Sequence, residues 1–111
     1  MADTIEFETY ASVQIAVGRI TDVQEFPRAR QPSYKVFIDL GDLGTRQSSA
    51  QITNYAMDDL VGRQVVCVVN LAPRNIAGFQ SEVLILGARN TDGDVIILSP
   101  EVEVPLGAAV F

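Results

Sequence analysis

The chain has 111 residues and a net charge of −6, with 48% hydrophobic and 20% charged residues. This length suits one domain over residues 1–111, and the composition is that of a globular protein rather than a disordered one. The acidic charge argues against a general nucleic-acid binder, because such proteins gain most of their affinity by neutralising phosphates.

The first ten residues carry three acids and no basic residue. A secretory signal has a basic start followed by an apolar run, and a membrane span needs roughly 18 consecutive apolar residues. The only cysteine, Cys67, lies in the apolar run 65–69, where we expect it to behave as a small buried hydrophobe. These features predict a cytoplasmic protein without membrane insertion.

In chain order, residues 3–10 are weakly helical and a long strand follows over 12–26. Gly18 lies inside this strand, where a glycine suggests a bulge or a sharp bend. The next strand, 34–40, alternates between an apolar face and a mixed one, with Val36 and Ile38 among the apolar positions. The short segment after it is rich in glycine and predicts a hairpin loop.

Residues 45–51 predict a polar strand, and 54–61 can form about two helical turns that end at Gly62. A buried strand follows over 65–71, and residues 71–80 predict a loop because they contain proline and glycine.

Two further strands, 83–86 and 95–98, are joined through a turn at 90–93, where Asp-Gly is a turn signal. Short strands with one helix between the third and the fourth predict an all-β protein. The expected architecture is a five-stranded barrel of the oligonucleotide/oligosaccharide-binding (OB) type.

The last two predicted strands are apolar on both faces, whereas an outer barrel strand should show one polar face to water. Either the chain's own ends or a second subunit must cover the extra face. Two-fold dimers are the commonest oligomers, so we expect a homodimer that uses the N- and C-terminal extensions. The residues predicted at the dimer interface are Leu84, Leu86, Ile97 and Val110.

Histidine is absent from the sequence, which removes the usual general base and the usual metal ligand. No phosphate-binding glycine loop, calcium loop or zinc spacing is present either. We therefore expect no catalytic residues, no cofactor and no metal site, and we favour a binding protein over an enzyme.

Two polar stretches are suited to binding. Residues 46–51 donate and accept hydrogen bonds, and residues 70–82 combine basic, apolar and amide side chains. Each also has a simpler interpretation, as an edge strand facing water and as a surface loop with hydrophobic anchors. If they meet on the barrel, they form a groove for an extended peptide or a single strand. The residues predicted in this groove are Arg46, Gln47, Ser49, Gln51, Asn70, Arg74, Ile76, Phe79, Ser81 and Glu82.

Segments 17–20, 46–52 and 73–84 resemble the tRNA-binding-domain superfamily. Within it, Gln-Ser-Ser-Ala-Gln-Ile at 47–52 and Ile-Ala-Gly-Phe-Gln-Ser-Glu-Val-Leu at 76–84 are similar to the CsaA branch, described as export-related chaperones. The resemblance implies an OB barrel, a homodimer and a substrate groove on each subunit.

The chain departs from tRNA-binding members at 81–83, where they carry Ser-Gln-Gly, and it has one lysine where they are lysine-rich. These departures favour an ATP-independent chaperone that binds unfolded or secretory precursor polypeptides for export. In this hypothesis Ile76 and Phe79 contact apolar side chains, and Glu82 attracts basic ones.

Two alternatives remain. One is a structure-specific tRNA-binding protein, and the other is an assembly subunit that binds a partner protein through its apolar strands. The tRNA contacts would then be Arg19, Arg28, Arg30, Arg46 and Arg74.

Overall fold

A computed structural model describes residues 2–111 and contains a five-stranded antiparallel sheet that curls into a nearly closed barrel. The strands are β1 (Ile15–Glu25), β2 (Tyr34–Asp39), β3 (Thr45–Ala50), β4 (Gln64–Val68), β5 (Arg74–Ile76), β6 (Phe79–Ser81), β7 (Leu84–Ile85), β8 (Gly87–Arg89) and β9 (Val95–Ile97). The helices are α1 (Phe7–Ala11) and α2 (Met57–Leu60), with a 3-10 turn at Gly41–Leu43. The sheet order is β3-β2-β1-β4-β7, and β5-β6 and β8-β9 form separate two-stranded hairpins. The predicted all-β, five-stranded barrel with a helix between its third and fourth strands is confirmed.

The central strand β1 pairs with β4 through its first half and with β2 through its second half. The register shifts at Thr21, not at Gly18, so the predicted position of the bend is wrong by three residues. A glycine is needed at position 18 because a larger residue would collide with neighbouring core side chains. A Cβ atom there would lie 2.5 Å from Cγ2 of Ile38 and 2.7 Å from Cδ2 of Leu40, so the strand backbone packs directly on these side chains.

The predicted alternation of β2 is confirmed. Val36, Ile38 and the following Leu40 are fully buried, whereas Lys35 and Phe37 lie half-buried on the outer face. Truncating one of these large core side chains to alanine typically costs about 2–5 kcal/mol.

Cys67 lies in the same core, and burial raises the pKa of its thiol to about 12. The expectation that it acts as a small buried hydrophobe is therefore confirmed.

The barrel closes where residues 82–83 reach the free edge of β3. The backbone amides of Glu82 and Val83 both donate to the carbonyl oxygen of Gln47, at 2.8 Å and 3.3 Å. Val83 is buried in the core beside this contact. Pairing of this kind removes an exposed strand edge, which would otherwise be open to aggregation.

The C-terminal segment runs beside the first half of β1. The amide of Val17 donates to the carbonyl of Ala108 at 3.0 Å, and the amide of Val110 donates to the carbonyl of Ile15 at 2.9 Å. The C-terminal extension therefore covers part of its own barrel, which agrees with the alternative that the chain's own ends supply the cover.

The four residues predicted at a dimer interface have different environments. Ile97 is buried in the core of its own barrel with 7% of its surface exposed, so the assignment of this residue to an interface is wrong. Leu86 and Val110 are half-buried, and Leu84 is 48% exposed. Dimerisation itself stays a prediction.

Residues 71–80 were predicted as a loop, but they contain most of a β-hairpin. Its two turn residues, Ala77 and Gly78, have φ angles of 49° and 87°. Positive φ at both positions is the pattern of a type I′ hairpin turn. The side-chain oxygen of Asn75 accepts the Gly78 amide at 2.9 Å and supports the turn. Alanine at the first turn position, where asparagine or glycine is usual, hid this hairpin from sequence analysis.

The helix predicted over 54–61 is shorter than expected and spans one turn, Met57–Leu60. Across the described residues 2–111, no helix has both the length and the apolar character that crossing a membrane requires.

Candidate functional site

Four of the predicted groove residues do come together, but they bond to one another. The backbone amide of Gln47 donates to Oε1 of Glu82 at 3.1 Å, and its side-chain Nε2 donates to the backbone carbonyl of Gln80 at 2.8 Å. The Ser49 amide donates to Oγ of Ser81 at 3.0 Å. We call these five residues, Gln47, Ser49, Gln80, Ser81 and Glu82, the seam, because their contacts close the barrel. The half-buried Glu82 carboxylate faces a β3 amide, so the role predicted for it, attraction of a basic ligand, is not supported.

Asn70 also has a different place from the one predicted. Its Nδ2 donates to the backbone carbonyl of Ser12 at 2.8 Å, and its Oδ1 accepts a hydrogen bond from the backbone amide of Gln14 at 2.8 Å. Both ends of this amide are used to hold the segment that enters β1. Asn70 is therefore a tether and not a hydrogen-bonding group of the groove.

The remaining predicted groove residues are divided between several surfaces. Arg46 pairs in register with the core residue Ile38, which places it on the opposite face of β3 from Gln47 and Ser49. Gln51 lines a depression beside Asn54, on the far side of the loop after β1. The other three lie on the hairpin, with Arg74 exposed and both Ile76 and Phe79 half-buried.

An aromatic cluster lies where this hairpin leans over the outer face of the sheet. The ring of Phe79 stands edge-on to Phe26 and to Phe37, with ring centroids 5.5 Å and 6.2 Å apart. Edge-to-face pairs at these distances are favourable beyond their buried area. The ammonium nitrogen of Lys35 lies 5.0 Å from the ring centroid of Phe26 and 5.3 Å from that of Phe79. This is close enough for cation–π attraction to both rings.

A cleft of about 330 Å³ opens beside the cluster, between the hairpin tip and the loop that follows β1. Its lining consists of Phe26, Pro27, Arg28, Lys35, Ala77, Gly78 and Phe79. Barrels of this type bind ligands on the face of strands 2 and 3 and on the two loops that flank it. The cleft has that position, and its volume is at the lower end of the range for ligand sites.

The cleft carries positive charge that the chain does not neutralise by direct pairing. Lys35 and Arg28 both line it, and neither forms an ion pair within 4.0 Å. Across residues 2–111 the one ion pair at this distance joins Arg19 to Glu103.

The five arginines predicted to contact tRNA have different environments. Two nitrogens of Arg19 bond to the carboxylate of Glu103 at 2.6 Å and 3.0 Å, which raises the pKa of Arg19 and lowers that of Glu103. Arg19 also donates to the Gly62 carbonyl at 2.8 Å, so its guanidinium is held within the chain. Arg28 lines the cleft, and Arg30 lines a neighbouring depression in the same loop.

Phe26, Lys35 and Phe37 were not among the site residues predicted from the sequence. One signal was available: Phe37 is a large apolar residue on the outer face of an alternating strand. Phe26 gave no comparable signal, because a phenylalanine at a strand end before proline is ordinary in a core. Only 5% of its surface is exposed, and the structure alone shows that it also lines the cleft.

Comparison with known proteins assigns this fold to a family. The family model described as "Putative tRNA binding domain" matches residues 15–109. The chain belongs to this tRNA-binding-domain family. The resemblance proposed from its motifs is thereby confirmed, and the barrel is of the OB type.

Two solved structures are similar to this chain along nearly its whole length. The chaperone CsaA from Bacillus anthracis has a TM-score of 0.92 and 44% identity, covering 98% of this chain and 100% of that one. The CsaA chaperone protein from Picrophilus torridus has a TM-score of 0.93 and 41% identity, covering 97% and 100%.

A methionine–tRNA ligase from Porphyromonas gingivalis is 34% identical over 110 residues, which are 99% of this chain. The chain spans only 16% of the length of that ligase. This tRNA-binding domain is thus similar both to free-standing chaperone structures and to a small part of a synthetase.

Proposed function

We propose that this protein binds unfolded or precursor polypeptides as an ATP-independent chaperone related to export, without catalysis and without a cofactor. The observation that carries the proposal is the cleft, where half-buried Phe79 stands beside Lys35 on the ligand-binding face of the barrel. Unfolded chains offer apolar side chains, and an aromatic ring face accepts many of them without demanding one geometry. Similarity to two proteins named as CsaA chaperones supports the same function.

Replacing Phe79 tests this site. Phe79→Ala should weaken binding of a fluorescein-labelled, permanently unfolded peptide about tenfold, because it removes an aromatic anchor of the kind that dominates binding energy. The measurement is fluorescence anisotropy at constant salt, with circular dichroism to confirm folding.

Leu71→Ala is the matched control, since Leu71 is 50% exposed and lies outside the cleft lining. Equal affinities for the two variants would remove the cleft from the proposed function.

A second candidate function is structure-specific tRNA binding, which the family match and the synthetase relative favour. Its affinity should fall steeply as salt rises, because phosphate contacts release counterions. A titration of unmodified tRNA from low to high salt separates the two candidates. A flat response, or no binding at low salt, would reject the tRNA function.

We further propose that the protein works as a homodimer in the cytoplasm. Exposed apolar side chains near the N-terminus support this state, with Phe7 72% and Tyr10 39% exposed. These residues come shortly before Val13 in the chain, and Val13, Val69 and Val110 help to line an apolar depression of about 280 Å³. Sedimentation equilibrium of the full chain tests the dimer. A monomeric mass at micromolar concentration would contradict it.

A further inference from the structure

We infer that the cleft selects polypeptide segments in which an acidic residue adjoins an aromatic or apolar one, with Lys35 binding the carboxylate. This inference rests on the proposed function, because it names the class of client segment that the same cleft prefers. Lys35 is the only lysine in the chain, and sequence analysis assigned it no role.

The position of the Lys35 ammonium group supports this preference. The group lies about equally far from two ring centroids, at 5.0 Å and 5.3 Å, and among residues 2–111 no carboxylate lies within 4.0 Å of it. The ring faces attract the cation but do not neutralise its charge. A ligand carboxylate beside the cleft would therefore meet a cation that is already positioned, while its apolar neighbour packs against Phe79.

The acids near the cleft do not cancel this charge. Asp22 lies opposite Phe37 on the same face of the sheet, and Glu25 is next to the register partner of Lys35. Across residues 2–111 neither acid makes an ion pair within 4.0 Å. Glu82 is in the seam, where its carboxylate accepts the Gln47 amide. Arg28, which also lines the cleft, adds a second positive charge. The balance of charge at the cleft thus opposes the basic segments that Glu82 was expected to attract.

Peptide is a better match for these groups than nucleic acid. A bound single strand presents one phosphate per nucleotide and needs a track of cations along its backbone. The cleft offers two cations, on a protein with a net charge of −6. One carboxylate beside an apolar side chain needs no more than the cleft provides.

The test uses the 111-residue chain and three labelled octapeptides of sequence Gly-Ser-X-Phe-Leu-X-Ser-Gly, with X as Asp, Asn or Lys. Wild type should bind the Asp peptide about fivefold more tightly than the Asn peptide, as expected for one partly exposed ion pair. The Lys peptide should bind most weakly. These differences should shrink at about 0.5 M salt, because screening weakens exposed charge pairs.

Two variants at position 35 test whether Lys35 is the group that distinguishes the charge of the peptide. Lys35→Gln should lose most of the preference for the Asp peptide, because Arg28 alone then carries positive charge in the cleft lining, and Lys35→Glu should reverse the order so that the Lys peptide binds best. Arg63→Gln is the matched control, because Arg63 also lies over an aromatic ring, 5.2 Å from the centroid of Tyr55, but outside the cleft lining. It should keep the wild-type order. If Lys35→Glu does not fold, Lys35→Gln and the wild-type salt series give the same decision.

The failure of this inference differs from the failure of the proposed function. No binding of any of the three peptides would reject the peptide-binding function. Equal binding of all three by wild type, or an Asp preference that is undiminished in Lys35→Gln, would overturn the role of Lys35 and leave peptide binding intact. An octauridylate that displaces the Asp peptide and binds more tightly, in a manner dependent on Lys35, would overturn the inference in favour of nucleic acid.

Discussion

The seam and the cleft are adjacent parts of the barrel surface, and the hairpin β5-β6 contributes to both. In the seam, the backbone amide of Gln47 donates to the carboxylate of Glu82, and the backbone amide of Ser49 donates to the hydroxyl of Ser81. In the cleft, Phe79 is half-buried and Lys35 has no carboxylate partner. The same hairpin therefore closes the barrel with its polar residues and presents a ligand surface with its tip.

This comparison teaches that a strand rich in hydrogen-bonding side chains is not by itself a binding surface. The backbone amides of Gln47 and Ser49 already have acceptors in the seam, so a ligand would have to break those bonds to use them. In the cleft, Lys35 has no carboxylate partner among the described residues and Phe79 is only half-buried, so a ligand that contacts both groups gains energy. The predictions below test this division, beginning with the largest expected effect.

Glu82→Ala should lower the free energy of unfolding by about 1–3 kcal/mol, because a half-buried amide of β3 loses its acceptor. Its peptide affinity should stay unchanged, measured on the folded fraction. Urea denaturation followed by circular dichroism gives the first quantity, and anisotropy gives the second.

Glu101→Ala, a change at an exposed acid, is the control and should stay within about 0.5 kcal/mol of wild type. A destabilisation no greater than this control, or a loss of peptide binding, would return Glu82 to the ligand site.

Cys67 can report whether the barrel opens at the seam. The thiol is buried and its pKa is raised to about 12, so the wild type should react very slowly with a thiol reagent at pH 8.5. Glu82→Ala should accelerate the reaction about tenfold if the seam opens first, since about 1.4 kcal/mol corresponds to that factor. Phe79→Ala should leave the rate close to wild type.

An acceleration of equal size in both variants would mean that seam and cleft open together, and the comparison would lose its basis. The pH dependence has a definite sign as well. An unfolded thiol ionises near pH 9 while the folded one stays protonated to about 12, so Cys67 should reduce stability as pH rises through that interval.

Asn70→Ala should have the smallest effect, a loss of about 1 kcal/mol in the free energy of unfolding, because the tether to residues 12 and 14 is removed at an exposed site. Peptide affinity should not change. The comparison variant is Gln51→Ala, an exposed residue that was predicted in the same groove. Denaturation midpoints of the two variants measure the loss of stability, and anisotropy measures their peptide affinity. Weaker peptide binding by Asn70→Ala than by Gln51→Ala would return Asn70 to the groove.

Local sequence patterns predicted the elements of this fold well. The alternation through Val36 and Ile38 placed those residues in the core, because neighbouring side chains of a strand point to opposite faces. The position of the bend in β1 and the turn at Ala77 were missed. In both cases the determinant was a contact or a backbone angle that residue type does not reveal. One example is the close packing of Ile38 against the backbone of Gly18.

The site was predicted less completely, and the errors have one cause. Gln47 and Glu82 were correctly expected to meet, but each was assigned to a ligand and not to the other. Lys35 and Phe26 were overlooked, because nothing local distinguishes a lysine over two rings from an ordinary surface lysine. Phe79 was predicted from the mixed basic, apolar and amide composition of residues 70–82, and it does line the cleft.

By itself, the sequence determined the class of fold, the order of its elements, the core faces of its strands and the family. These properties depend on periodicity and on motifs, which are local. Only the tertiary structure decided which polar groups close the barrel and which remain available to a ligand. That distinction depends on contacts between segments about 35 residues apart, as between Gln47 and Glu82, and hydrogen-bonding partners at such separation are set by how the barrel closes.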